Sequence, residues 1–270
     1  MNKNKIMALA SLAAMPMSVG ATEKPNVIII IADDLGWGDV SAYGNRTVST
    51  PNIDFLAQNG ACFTNGHASS ATSTPSRYGL MTGMYPWRND DAKILPGDAP
   101  LLVDTDQFTI GKMFQHAGYS TAAIGKWHLG MGEGKIDWNR QITPAGNAIG
   151  FDYTYLIAAT VDRVPTVYVE NGRVANLDPN DPISVDYEHP FEGEPTGVNN
   201  PELVKMHWSH GHQDAVINGI PRIGFMKGGK SAIWNEKTMA ADILAKVKAY
   251  IDTVPQGKSF FLYYGLHEPH

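Results

Sequence analysis

The run NVIIIIADD, residues 26–34, reads as a strand that ends on two carboxylates. Val27 to Ala32 are all apolar and mostly β-branched, with no polar face to turn toward water. Such a run predicts a strand covered on both faces in a parallel sheet. In open α/β sheets, sites form at the carboxyl ends of the strands, which is where Asp33 and Asp34 stand. Adjacent carboxylates repel each other, and a hard cation relieves that repulsion. Taken alone, the pair is also compatible with an ordinary turn.

Outward from this strand the chain alternates helix and strand. Residues 51–60 (PNIDFLAQNG) predict a short helix closed by Gly60, and residues 60–65 a following strand. Residues 73–81 (STPSRYGLM) predict a helix with Pro75 in its first turn and Ser73 or Thr74 as its cap. Residues 106–117 place Ile110, Phe114 and Ala117 on one face and stop at Gly118; residues 119–124 are then a strand. The order repeats near the end. Met239, Ile243, Val247 and Tyr250 share a helix face over residues 236–251, residues 253–258 turn the chain, and SFFLYY (259–264) reads as a buried strand. The pattern predicts an α/β fold with a mixed central β-sheet sandwiched by helices. Between residues 130 and 229, Pro, Asp, Asn, Gly and His dominate, with short strands expected at 153–159, 167–170 and 223–226. Residues 131–235 are expected to form a substrate-facing, loop-rich insertion. Within it Tyr168, Trp208 and Trp234 offer aromatic faces to a sugar ring, although core packing is the more ordinary use of such residues.

Bulk properties narrow the function. Lys plus Arg number 21 and Asp plus Glu 27 in 270 residues, a net charge of -6. This acidic balance argues against a nucleic-acid partner. Lys3 and Lys5, an apolar stretch over residues 6–17 and small residues at 19–21 predict a signal peptide over residues 1–21. That stretch is too short to span a membrane, so a periplasmic or secreted protein with no membrane span is expected. The single cysteine, Cys62, excludes an intramolecular disulfide. Its neighbours Ala61 and Phe63 suggest a buried structural thiol.

Further groups carry chemistry. Ser73, Pro75, Ser76 and Arg77 open a predicted helix, whose free N–H groups and guanidinium suit an oxyanion. Ser73 lies in no G-x-S-x-G elbow, so capping remains an alternative. In GKWHLG (125–130), Lys126 and His128 are two apart and share a face if the chain is extended. His267 and His270 follow the last strand and suit acid–base or metal chemistry. His207, His210 and His212 match no closed zinc spacing.

Taken together, these stretches become specific. NVIIIIADDLGWG (26–38), TPNIDFLAQNGACF (50–63), STPSRYGLMTG (73–83) with Pro86 and Arg88, GKWHLG (125–130) and YGLHEPH (264–270) occur in an order and at separations that resemble the arylsulfatase family. These are the formylglycine-dependent type I sulfatases of the alkaline-phosphatase-like superfamily. The resemblance implies that Ser73 is converted to Cα-formylglycine by a serine-accepting maturation enzyme, and that its hydrated aldehyde attacks sulfur. It implies one calcium ion (Ca2+) held by Asp33, Asp34 and modified Ser73. Arg77 would hold the formylglycine oxygens, Lys126 a sulfate oxygen, and His128 the second hydroxyl of the hydrate. His267 would face the leaving oxygen, while His270 lines the entrance or is structural. The family's remaining calcium ligands and smaller C-terminal domain are expected beyond residue 270, which makes this chain the N-terminal part of the catalytic domain. The expected substrate is a sulfated carbohydrate. A phosphomonoesterase or phosphodiesterase with two zinc ions and a non-catalytic binding protein are the competing readings.

Overall fold

The computed structural model describes residues 24–209 and 211–270. The leader expected over residues 1–21 lies outside the described residues, as does His210. In chain order the strands are β1 (Val27–Asp33), β2 (Ser120–Lys126), β3 (Tyr153–Ile157), β4 (Tyr168–Glu170), β5 (Arg173–Val174), β6 (Ser184–Asp186), β7 (Val216–Ile217), β8 (Ile220–Pro221), β9 (Phe225–Lys227) and β10 (Phe260–Pro269). The helices are α1 (Pro51–Asn59), α2 (Ser73–Thr82), α3 (Ile110–His116) and α4 (Met239–Thr253). Six strands form the central sheet in the order β1-β10-β2-β3-β4-β5. The first four run parallel, β4 runs antiparallel to β3 and β5 antiparallel to β4, so the sheet is mixed as the sequence predicts. β6 pairs with β9 and β7 with β8 in two small ribbons.

Side chains alternate along the central strands and divide the core into two layers. Phe260 and Leu262 of β10, with Ala122 and Ile124 of β2, pack on Met239, Ile243, Val247 and Tyr250 of α4. Phe261 and Tyr263, with Ala123, face the other way onto Tyr78 and Met81 of α2. Phe114 of α3 stacks on Phe261 at 4.1 Å. A fully buried side chain such as Phe261 or Leu262 contributes about 1.5–3 kcal/mol over its exposed state. Both helix layers are therefore anchored through β10 and β2, the strands whose ends build the site.

Several expectations need correction. β1 is covered on one face only: Ile28 is 46% and Ile30 55% exposed, and only the intervening side chains turn inward; it is also the edge strand of the central sheet. Residues 60–65 form turn and loop, and without a strand to cover it Cys62 is exposed. Gly60 ends α1 in an extended conformation and not a left-handed one. α3 begins at Ile110, because Thr109 caps it by accepting from the N–H of Lys112. The cap residue of α2 is Thr72. Ser73 and Thr74 already lie in the helix, which frees their hydroxyls for other partners. β10 continues past residue 264, so His267 lies within the strand and not beyond it. Trp234 and Tyr168 are buried against each other, which rules them out as sugar platforms.

Candidate active site

Parallel pairing brings the carboxyl ends of β1, β10 and β2 side by side, and α2 points its first turn at them. Gly125 and Gly265 face each other across β2 and β10. A Cβ on Gly265 would lie 2.4 Å from the Lys126 carbonyl oxygen and 3.1 Å from Nη1 of Arg77. The bare backbone at this pair leaves room for the Arg77 guanidinium to pass beneath the strand ends.

Asp33 is the hub. Its Oδ1 accepts from Nη2 of Arg77 at 3.0 Å and from Oγ of Ser73 at 3.3 Å. Its Oδ2 accepts from the Lys126 ammonium. That ammonium also donates to Oγ of Ser73 at 2.8 Å. Asp33, Arg77 and Lys126 are all buried, so this is a desolvated ion cluster rather than a surface salt bridge. Burial alone would raise the Asp33 carboxyl. Hydrogen bonds from His270 and Lys126, with the charges of Lys126 and Arg77, hold it far below the usual range. Burial pushes the Lys126 ammonium down to about 8 against the pull of Asp33.

His128 reaches the site by a route that strand alternation does not predict. The strand ends at Lys126, and His128 adopts a left-handed backbone with φ 55°. It therefore does not share a strand face with Lys126. Instead Thr74 donates to its carbonyl at 2.8 Å and seats it beside the start of α2. Its Nε2 lies 2.9 Å from the Leu95 carbonyl, and its buried Nδ1 has no partner. Burial pushes the ring down to about 3, so it is neutral. Because a carbonyl can only accept, Nε2 carries the hydrogen and Nδ1 an open lone pair. Asp34 is likewise left-handed, with φ 64°. Among the described residues, the other non-glycine residues with positive φ are Asn171, Asn176 and Asn218, a residue type that tolerates this region. Asp and His also tolerate this region better than most types, yet a left-handed non-glycine residue is uncommon and such residues cluster at sites.

His270, whose role the sequence leaves open, lies with Nδ1 2.9 Å from Asp34 and 3.2 Å from Asp33. Asp33, Asp34 and His270 bring one ligand atom each within 4.8 Å of one another. The two carboxylates, with the Ser73 oxygen on Asp33, make an oxygen-rich donor set, which suits a hard cation such as calcium. His267 is less integrated: its Nδ1 pairs with Glu268 at 3.1 Å, and it makes no hydrogen bond to Ser73 or Lys126. His207 and His212 do not converge; the first meets a backbone carbonyl and the second Asp162. A cleft of about 600 Å³ opens over the first turn of α2, lined by Asp33, Asp34, Ser73, Ser76 and Arg77.

Two contributors are not apparent from the motifs. The Tyr263 hydroxyl, fully buried, meets Nη1 of Arg77 at 2.5 Å, and Nη1 also donates to the Lys126 carbonyl at 3.1 Å. Alternation along SFFLYY puts Tyr263 on the Phe261 face, which is the signal that could have found it. Asp162 lies in an irregular loop, where no period exists to point to it.

A mixed sheet with two acids and a lysine at its strand ends, and a serine and an arginine brought to them by α2, defines an α/β protein with one charged, polar centre. The sulfatase profile matches residues 25–270, and the chain belongs to the sulfatase family. It is 55% identical over 250 residues to the N-acetylgalactosamine-6-O-sulfatase of Bacteroides thetaiotaomicron, covering 92% of this chain and 49% of that protein. It is 44% identical over 147 residues to the human steryl-sulfatase, covering 52% of this chain and 24% of that protein. A solved sulfatase structure from Bacteroides thetaiotaomicron, from a locus for the metabolism of glycosaminoglycans, superposes with a TM-score of 0.90 at 55% identity. It covers 92% of this chain and 52% of that one. The chain thus spans about half the length of these Bacteroides relatives. Among the described residues, no helix is long and apolar enough to cross a membrane.

Proposed function

We propose that the full-length protein is an exported, calcium- and formylglycine-dependent sulfuric ester hydrolase that removes sulfate from a sugar of a sulfated glycan. The observation that carries this reading is the position of Ser73. Its oxygen lies between the Asp33 carboxylate and the Lys126 ammonium, at the first turn of a helix, with Arg77 on the same carboxylate. The match to an N-acetylgalactosamine-6-O-sulfatase over nearly the whole chain makes 6-O-sulfated N-acetylgalactosamine the first substrate to test.

Asp33 and Asp34 would hold the calcium ion together with an oxygen on residue 73. Bound there, calcium would supply charge neutralisation for the sulfate oxygens, and the formylglycine form of residue 73 the attacking oxygen. Arg77 fixes Asp33 and the residue 73 oxygen. Lys126 donates to a sulfate oxygen and stabilises the charge that grows on it. Neutral His128 accepts a proton at Nδ1 from a hydroxyl on residue 73. His267 faces the leaving oxygen and donates a proton to it. Loops from residues 131–235 supply contacts to the sugar.

Sulfate release from a panel of sulfated mono- and disaccharides tests this reading. Release from at least one of them is expected, and release from none contradicts it. Lys126→Ala should lower kcat/KM by about 10²-fold, the usual loss when one preorganised donor to a developing charge is removed. A loss under about 3-fold, measured in the same assay, would remove Lys126 from the chemistry. His267→Ala should behave differently. It should harm esters with poor leaving groups more than aryl esters, which need no proton. Equal fractional losses in kcat/KM across a series of graded leaving-group pKa would show that His267 is not the proton donor.

A further inference from the structure

The ester chemistry accounts for the residues around Ser73 but leaves an ion cluster beside them without a task. It lies in the loop after β3. That loop is bound along the GKWHLG segment: Trp127 donates to the Ile157 carbonyl at 3.0 Å and His128 to that of Ala158 at 3.2 Å. Four residues on, Asp162 and Arg163 stand beside His270. Oδ1 of Asp162 lies 3.9 Å from Nε2 of His270, whose other nitrogen meets Asp34 and Asp33.

Asp162 is held firmly. Its Oδ2 is 2.7 Å from Nε2 of His212, and both of its oxygens are 3.2 Å from Nη1 of Arg163. His212 is itself fixed, with Nδ1 2.8 Å from the Ser209 carbonyl. Arg163 spends Nη1 on Asp162 and on Thr160, at 2.8 Å. Among the described residues, its Nε and Nη2 make no hydrogen bond. The Asp162 and Arg163 side chains keep 17% and 16% of their surface open. Asp162 thus offers acceptor lone pairs, and Arg163 offers donors, side by side on partly exposed side chains.

A sulfate group needs donors only, and the Asp162 carboxylate would repel it. A hydroxyl both donates and accepts. At one atom it satisfies a carboxylate and a guanidinium together, which an amide does only through two atoms, and it is the group that a sugar ring presents around its sulfated carbon. We infer that Asp162 and Arg163, with His212 as a positioning residue, form a subsite that grips one hydroxyl of the sugar carrying the sulfate. The inference rests on the sulfatase reading above and adds to it the residues that select the sugar.

The test uses the full-length protein in its formylglycine form, its best sulfated monosaccharide, and the monodeoxy analogues of that sugar. Asp162→Asn should lower kcat/KM for the parent sugar by about 10- to 100-fold, the scale of a hydrogen bond to a charged group. Wild-type enzyme should lose a similar factor on one deoxy analogue. On that analogue Asp162→Asn should add less than about 3-fold, because the two changes delete the same contact. Arg163→Lys should show the same pattern if Asp162→Asn folds poorly. His212→Gln should raise KM more than it lowers kcat, with the sensitive hydroxyl unchanged. Equal fractional losses on every analogue would mean that the cluster supports the fold or the chemistry and selects no hydroxyl. A wild-type enzyme indifferent to every deoxy position would also overturn the subsite. A wild-type enzyme that releases sulfate from no sugar would instead overturn the sulfatase reading, and the subsite with it.

Discussion

Ser73→Ala in the full-length protein is expected to abolish turnover while leaving the fold intact. The Ser73 oxygen is the atom on which Asp33 and Lys126 converge, at 3.3 Å and 2.8 Å. Alanine at the first position of α2 costs the helix nothing, since Thr72 is the cap and Ser73 itself is only partly buried. Removing a nucleophile from a hydrolase lowers kcat on the order of 10⁶-fold, so sulfate release should fall to the background of the assay. The melting temperature should move little. Ser73→Cys makes a useful companion, since the family resemblance allows either residue as the precursor. It should regain activity with a maturation enzyme that accepts cysteine. Residual activity in Ser73→Ala within about 10-fold of wild type would show that the attacking group is elsewhere.

The second large effect is expected at the acid pair, where the two residues should differ in an informative way. Asp34 is well exposed, with 59% of its side chain open. Asp34→Ala should therefore weaken calcium by about 10²-fold or more, with most activity lost and no change in the melting temperature measured without calcium. Asp33 is 4% exposed and neutralises two buried cations, Arg77 and Lys126. Asp33→Ala should lose calcium as well, and should also lower the melting temperature. Stranding buried charges by removing one partner costs about 3–5 kcal/mol. Calcium titration and thermal melting on both variants check this. Equal destabilisation by the two would mean that the pair is structural. Two tightly bound zinc ions in the wild-type protein would favour the phosphatase reading over the sulfatase one.

Much of the fold and of the site is legible in the amino-acid sequence, and the reasons are local. NVIIIIADD shows both the strand and the acids at its end, because an apolar β-branched run and its break are visible residue by residue. The α4 face of Met239, Ile243, Val247 and Tyr250 follows from helical spacing alone, and all four side chains are buried. What sequence pattern misses is set by packing at long range. Nothing in residues 26–32 shows that β1 has a neighbour on one side only. Lys126 and His128 do approach one centre, yet through a left-handed turn and the Thr74 hydroxyl and not through strand alternation. Tyr263 reads as core until its hydroxyl is placed on Arg77. Asp162 and His212 stand 50 residues apart in irregular loops, where no periodicity can pair them.

In the working enzyme residue 73 is expected to be formylglycine, held among Asp33, Lys126 and Arg77. Trypsin releases residues 47–77 as one peptide, because no Lys or Arg lies between Arg46 and Arg77. The mass of that peptide from active full-length protein, produced with a serine-type maturation enzyme, is the direct test. Oxidation of the Ser73 side chain to the aldehyde removes two hydrogens, so the peptide should be about 2 Da lighter than its sequence, with fragment ions assigning the loss to position 73. Fully active enzyme whose peptide carries an unmodified serine would rule out formylglycine as the attacking group.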